Sequence, residues 1–340
     1  MADQVLPTGK LPLEMLQELL ECCKSTDPRA VVGARVGEDA AIIDFGDRYL
    51  VAKSDPITFA TDRIGWYAVH VNANDIATRG AAPRWMLATV LLPEGKATFA
   101  QAGGIMTQMA AACAELGASL VGGHTEVTYG LDRPIVVGHM LGEVAKDRLV
   151  TTAGARPGDA IVLAGPVAVE GTALIAREFA AEARRRGVDE ETLAVARGCL
   201  DSPGISVVRA ALLAARTVRV HAMHDPTEGG LATGLHELAW ASGVGLRVDG
   251  DTIPVLPACR RLCNAFGLDP LGLIASGALV VAVAPGDVKA LGEAYAREGV
   301  TWARIAEVCP AAEGLRLSYR GHEGLLPRFD RDEVTRLFGM

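Results

Sequence analysis

One interruption limits how this chain can fold more than any other feature. Around 151–159 the residues Thr151-Thr152-Ala153-Gly154-Ala155-Arg156-Pro157-Gly158-Asp159 are turn-rich and separate two blocks, each with its own apolar periodicity. With 340 residues, half of them hydrophobic, the chain exceeds what one compact core usually organises, so the break reads as a domain boundary. The expected organisation is an arm and helix over 1–30, a first domain over 31–150, a second over 157–320 and a tail over 321–340.

Before the break the pattern predicts a leading helix at 11–24 and a β-hairpin from 40–44 and 49–52 about Gly46-Asp47. Helices follow near 64–80 and 97–116, with strands at 85–92, 118–121 and 135–144. After it come strands at 160–164, 218–222, 245–248, 278–284, 302–308 and 315–318. Helices alternate with them near 169–182, 190–199, 204–216, 227–242, 258–266 and 287–298. The fold class is α+β.

Charge and cysteine usage exclude several functions. The formal net charge is -8 and the basic residues are dispersed, which is no footprint for nucleic acid. The seven cysteines are scattered, with no C-x-x-C pair, which points to reduced thiols in the cytoplasm. No apolar run approaches the roughly 18 residues needed to cross a bilayer, so neither membrane insertion nor secretion is expected.

Candidate chemistry lies in five segments. Gly37-Glu38-Asp39-Ala40-Ala41 sets two carboxylates before a strand, and Lys53-Ser54-Asp55-Pro56 sets a hydroxyl and a third carboxylate at a strand end. Hard cations such as magnesium take oxygen ligands of this kind, while loop carboxylates capping nearby amides are the plainer reading of either segment alone. On the next helix Asn72, Asp75 and Arg79 recur along the edge of an apolar stripe. A half-buried Asp75 needs a counter-charge, and spacing favours Arg79 over a metal ion. Strand 118–121 exits into Gly122-Gly123-His124-Thr125-Glu126, where the glycines suit a phosphate-binding turn or a plain one. In His224-Asp225-Pro226-Thr227-Glu228-Gly229-Gly230, Asp225 caps a helix that starts at Pro226. Gly229, Gly230 and Gly234 cost such a helix roughly 1 kcal/mol each, which an anionic ligand at its N-terminus or tight packing on a neighbour would explain.

Taken in order, these motifs resemble the superfamily of AIR synthetase, selenophosphate synthetase, thiamine-monophosphate kinase and the hydrogenase-maturation dehydratase, over nearly the whole chain. Asn74-Asp75-Ile76-Ala77 with Gly80-Ala81 and Pro83, and the late Ser276-Gly277, add to the match. The resemblance implies a two-domain AIR synthetase-like fold, with an N-terminal mixed α/β domain whose four-stranded sheet joins its twin in an intersubunit β-barrel. The C-terminal domain would be an α/β sandwich, and the functional unit a homodimer. It also implies ATP and Mg2+ as cofactors. Asp39, Asp55 and Asp75 would hold the metal, with Ser54 beside them and Asn74 lining the site, which displaces Arg79 as sole partner of Asp75. Gly122, Gly123 and Thr125 would meet nucleotide phosphate or metal. Asp225 with Thr227, Gly229 and Gly230 would face the transferred phosphate or the acceptor.

The chain departs from the family in three places. His124 replaces the metal carboxylate of a Gly-Asp-Thr turn, leaving Glu126 as a substitute ligand. The chain ends Leu337-Phe338-Gly339-Met340, so dehydration of a group on its own terminal cysteine is not expected. The glycine-rich lead reads Thr8-Gly9-Lys10, lacking the cysteine or selenocysteine of selenophosphate synthetases but keeping a lysine that can reach phosphate. His124, His224 and Lys10 are the candidate general bases. The expected activity is ATP-dependent phosphoryl transfer to an oxygen of a small amide, carboxyl or carbonyl substrate, with ADP released. A small-molecule kinase and a nucleotide-binding accessory protein docked on a maturation or biosynthetic complex are the competing readings.

Overall fold

A computed structural model describes residues 10, 11, 13–23, 25–58 and 62–338. The chain forms two compact units, one of Ser25–Ala34 with Asp39–Leu149, the other of Met1–Lys24, Arg35–Glu38 and Val150–Met340. The described leading residues and the Arg35–Glu38 turn thus group with the C-terminal unit, which a contiguous reading of the sequence does not anticipate.

The N-terminal unit is built on β1 (Ala30–Val32), β2 (Ala41–Asp44), β3 (Arg48–Ile57), α2 (Ile64–Thr78), β4 (Ala82–Pro93), α3 (Phe99–Glu115), β5 (Ser119–Thr128) and β6 (Ile135–Ala145). The helix α1 (Leu13–Leu20) precedes them in the chain and belongs to the other unit. The sheet has six strands rather than four, ordered β1-β2-β3-β6-β4-β5. All pairings are antiparallel except β4 with β5. Helix α2 buries Val69, Ala73, Ile76 and Ala77 and nearly everything else it carries, as a helix enclosed by its own domain must. Glycines on β6 allow its close approach: a Cβ at Gly138 would lie 2.3 Å from Asn72 Nδ2, and one at Gly142 2.3 Å from Ile76 Cγ2.

Two expected loops are strand. β3 continues through Ser54, Asp55 and Pro56 because each of Arg48 to Ile57 has a partner on β6. The Gly122–Glu126 segment is the middle of β5 rather than a turn at a strand exit. Gly123 meets the β4 backbone so closely that a Cβ would lie 2.0 Å from Ala88 O, so sheet packing accounts for that glycine.

The C-terminal unit contains β7 (Ala160–Ala164), α4 (Val169–Glu178), α5 (Ala180–Arg185), α6 (Glu190–Gly198), α7 (Val208–Thr217), β8 (Val220–His224), α8 (Gly230–Ser242) and β9 (Val244–Asp249). It continues with α9 (Pro257–Phe266), β10 (Leu279–Val283), α10 (Val288–Arg297), β11 (Trp302–Pro310), β12 (Leu315–Tyr319) and β13 (His322–Leu325). The sheet order is β13-β12-β9-β11-β7-β10-β8. β7 and β10 are buried at every residue, because both lie inside the sheet and helices cover it. The run Glu190–Thr217 is apolar and long enough by composition to cross a bilayer, against the expectation that none would be. It is interrupted at Ser202, and α6 and α7 bury Leu193, Ala196, Ala211 and Ala214, so its apolarity is used by the domain core. Residues near the end of the described chain belong to this core too, with Leu326, Val334 and Leu337 buried.

Candidate active site: an aspartate cage and a glycine turn

In the N-terminal unit, strand alternation puts Lys53 and Asp55 on the face of β3 that carries the buried Val51 and Ile57. Helix α2 brings Asp75 to the same place. Lys53 Nζ lies 3.1 Å from Asp75 Oδ2 and 3.7 Å from Asp55 Oδ2. Asp39, just before β2, joins the group through Arg79, whose Nη2 donates to Asp39 Oδ2 at 3.0 Å. Asn72 anchors the helix to the strand, donating from Nδ2 to the Asp55 carbonyl at 3.2 Å and to the Ala68 carbonyl at 2.8 Å.

Three carboxylates and two cations therefore share one region, with Asp75 and Arg79 buried and Asp55 partly exposed. Burial pushes the Asp75 carboxyl up to about 7; the Lys53 ammonium opposes that rise, and Asp39 and Asp55 add to it. Burial works against the Lys53 charge as well, but Asp75, Asp55 and Asp39 outweigh it and hold the ammonium above its ordinary range. The cation beside Asp75 is thus Lys53, while the Arg79 favoured by helical spacing reaches Asp39. Asp75 is also more buried than its position at the edge of a stripe implies, at 5 % exposure.

The structure separates other expected members of this group. Ser54 is exposed and alternates to the opposite face of β3 from Lys53 and Asp55. Asn74, by contrast, stays next to Asp75 on α2 and is buried. Asp55 pairs with Gly138, Gly138 with Ala88, and Ala88 with Gly123, so β5 lies three strand spacings, about 14 Å, from β3. Within one chain that puts Gly122, Gly123, Thr125 and Glu126 beyond reach of an ion shared with Asp55. Glu126 Oε2 instead lies 3.1 Å from His124 Nε2 on the exposed strand.

In the C-terminal unit, β8 ends at His224, and Asp225, Pro226 and Thr227 follow outside the helix. α8 begins only at Gly230, with Gly229 (φ +79°) at its N-cap, so Asp225 is not the cap the sequence implied. The backbone is left-handed at both Gly229 and Gly230, which delays the helix start. Gly230 (φ +69°) passes so close to Leu271 that a Cβ would lie 2.3 Å from its carbonyl oxygen, and at Gly234 a Cβ would lie 2.7 Å from Pro226 Cγ. Tight packing thus explains these glycines. The Gly229 N–H donates to Asp332 Oδ2 at 2.8 Å, so the cap comes from the far end of the chain. Lys10 clasps the same turn, its Nζ donating to Thr227 Oγ1 and its N–H to Glu228 Oε2, both at 3.0 Å.

Glu237, two turns into α8, lies with Oε2 2.8 Å from His224 Nε2 and Oε1 3.8 Å from Lys10 Nζ. Neither Lys53 nor Glu237 is evident as a site residue from spacing. For Lys53 the available signal is the period of two that it shares with Asp55.

Two family descriptions cover most of the chain: AIR synthase related protein, N-terminal domain, matches residues 37–144, and its C-terminal domain matches 156–317. This chain belongs to the AIR synthase-related family. Membership places it in the AIR synthetase-like superfamily of ATP-dependent enzymes. Among its relatives, carbamoyl dehydratase HypE of Cupriavidus necator is 34% identical over 83% of this chain and 78% of its own length. A putative hydrogenase expression/formation protein of Methanocaldococcus jannaschii is 29% identical over 83% and 82%. The crystal structure of hydrogenase maturation protein HypE in complex with ATP superposes with a TM-score of 0.71 at 26% identity, covering 90% of this chain and 91% of that one. ThiL complexed with AMPPCP and TMP shares the fold, with a TM-score of 0.72 at 20% identity over 94% and 98%.

Proposed function

We propose that this AIR synthase-related protein binds ATP with Mg2+ on Asp39, Asp55 and Asp75 and transfers the terminal phosphoryl group to an oxygen of a small amide, carboxyl or carbonyl substrate, releasing ADP. The observation that carries the reading is that carboxylates from three separate stretches gather about two cations, Asp75 and Asp55 on Lys53 and Asp39 on Arg79. That donor set suits a hard divalent ion, and an ammonium already stands among it. Magnesium, when bound there, supplies neutralising charge at the γ-phosphate.

This chain's own residues do the positioning. Asp75 and Asp55 present oxygens from a buried helix and a central strand, rigid elements that hold geometry well. Lys10 and Thr227 lie together on the glycine turn, where a lysine donor can meet phosphate, and Asp225 follows the buried His224–Glu237 pair. The relatives named for carbamoyl dehydration and the ATP complex of a HypE support both the nucleotide and an acceptor of carbamoyl type.

The kinase reading draws on the ThiL likeness, and the accessory reading on a HypE–HypF complex of the same fold. A homodimer in the cytoplasm fits an exposed edge strand β5, with Val121 and Val127 uncovered, and seven free cysteines.

Titration calorimetry tests the core of the proposal: Asp75→Asn should abolish magnesium-dependent ATP binding, and an unchanged isotherm would remove the cage from the mechanism. Screening amide and carboxylate metabolites for free phosphate release separates dehydration or ligation from a kinase, which retains phosphate on its product.

A further inference from the structure

The cage holds its own cations. Three carboxylates (Asp39, Asp55 and Asp75) share this region with two basic groups (Lys53 and Arg79). A divalent ion arriving alone would find carboxylates that are already engaged. The two basic groups differ in freedom. Arg79 is fully buried, with its guanidinium fixed on Asp39, whereas the Lys53 side chain is 19% exposed and ends in an ammonium on a flexible four-carbon stem. Lys53 spans the oxygens of both Asp55 and Asp75, so a divalent ion held by those two residues would have to take its place. A triphosphate would offer the displaced ammonium a new anionic partner.

We propose that Lys53 is an internal counter-cation that keeps the cage closed to a bare divalent ion and yields it when a nucleotide's phosphates accept its ammonium, so that metal and nucleotide bind as a unit. The inference rests on the proposed nucleotide function of the same site. Because binding linkage is reciprocal, the nucleotide that raises metal affinity is itself bound more tightly in the metal's presence.

The test uses the full chain and Mn2+ as a magnesium probe, with unbound ion counted by electron paramagnetic resonance, with and without a non-hydrolysable ATP analogue. Wild type should bind Mn2+ at least about tenfold more weakly without nucleotide than with it, a modest part of an ammonium–carboxylate attraction at these distances. Lys53→Gln, which keeps length and a donor but no charge, should gain bare-ion affinity and reduce that ratio to about threefold or less. Lys53→Arg should keep the wild-type ratio.

Removing the ammonium also leaves carboxylates in mutual repulsion, so Mn2+ should raise the melting temperature of Lys53→Gln more than that of wild type. If Lys53→Gln has unchanged or weaker bare-ion affinity while Asp75→Asn loses the ion in both states, the counter-cation inference is overturned and the cage stands. If wild type and Asp75→Asn bind Mn2+ alike, the cage itself is wrong.

Discussion

At the scale of single residues, the consequences follow from charges held away from water. Glu170, in the first turn of α4, is pushed up to about 7, chiefly by burial; a hydrogen bond with Ser276 opposes the rise, and the charges of Asp332 and Glu228 add to it. The folded chain therefore holds this proton more tightly than the unfolded chain does. Its stabilising effect is complete below 4.5 and disappears as pH rises to about 7. Melting curves across that window should show wild type losing stability relative to Glu170→Gln, with the two running parallel above it. Glu237 is a second case. His224→Ala leaves that buried carboxylate without its 2.8 Å imidazole partner and should cost about 3 kcal/mol in urea unfolding.

Among the elements, one depends on a backbone approach that no side chain can share and another on a cap from far along the chain. Gly123→Val would force a Cβ to within 2.0 Å of Ala88 O and should unpair β5 from β4. A loss of about 3 kcal/mol is expected, with faster hydrogen exchange confined to those strands. Helix α8 starts on a cap supplied by Asp332, whose Oδ2 accepts from Gly229 and Oδ1 from Val334. Asp332→Ala leaves both donors unsatisfied and should cost about 2 kcal/mol by chemical denaturation, while Asp332→Asn retains most of the cap. Spacing favoured Asp225 for this role because it sits before a proline and a glutamate. Positive φ at Gly229 and Gly230 moves the helix start downstream, and the partner of Gly229 lies 103 residues away.

For the whole molecule, the proposed homodimer is the property to measure. β5 is an edge strand exposed along nearly all of its length, a liability for a chain that stays alone. Sedimentation velocity should find a dimer in wild type. Val121→Glu with Val127→Glu should shift it toward monomer without lowering the unfolding midpoint extrapolated to monomer, since neither side chain is buried within the chain. Loss of dimer together with loss of fold would count against a surface role for these residues.

Most helices and strands and their order were legible in the sequence because period and turn chemistry are local properties, while the short strands β1 and β13 were not. So was the recurrence of acidic residues in the three stretches that hold Asp39, Asp55 and Asp75. Tertiary structure alone decided that Lys53 rather than Arg79 stands beside Asp75, that Ser54 turns away, and that Gly122–Glu126 is strand. These outcomes depend on register across β3, β6, β4 and β5 and on how closely α2 can approach Gly138 and Gly142. Spacing along a chain states which residues share a face; only packing between distant segments states what that face meets.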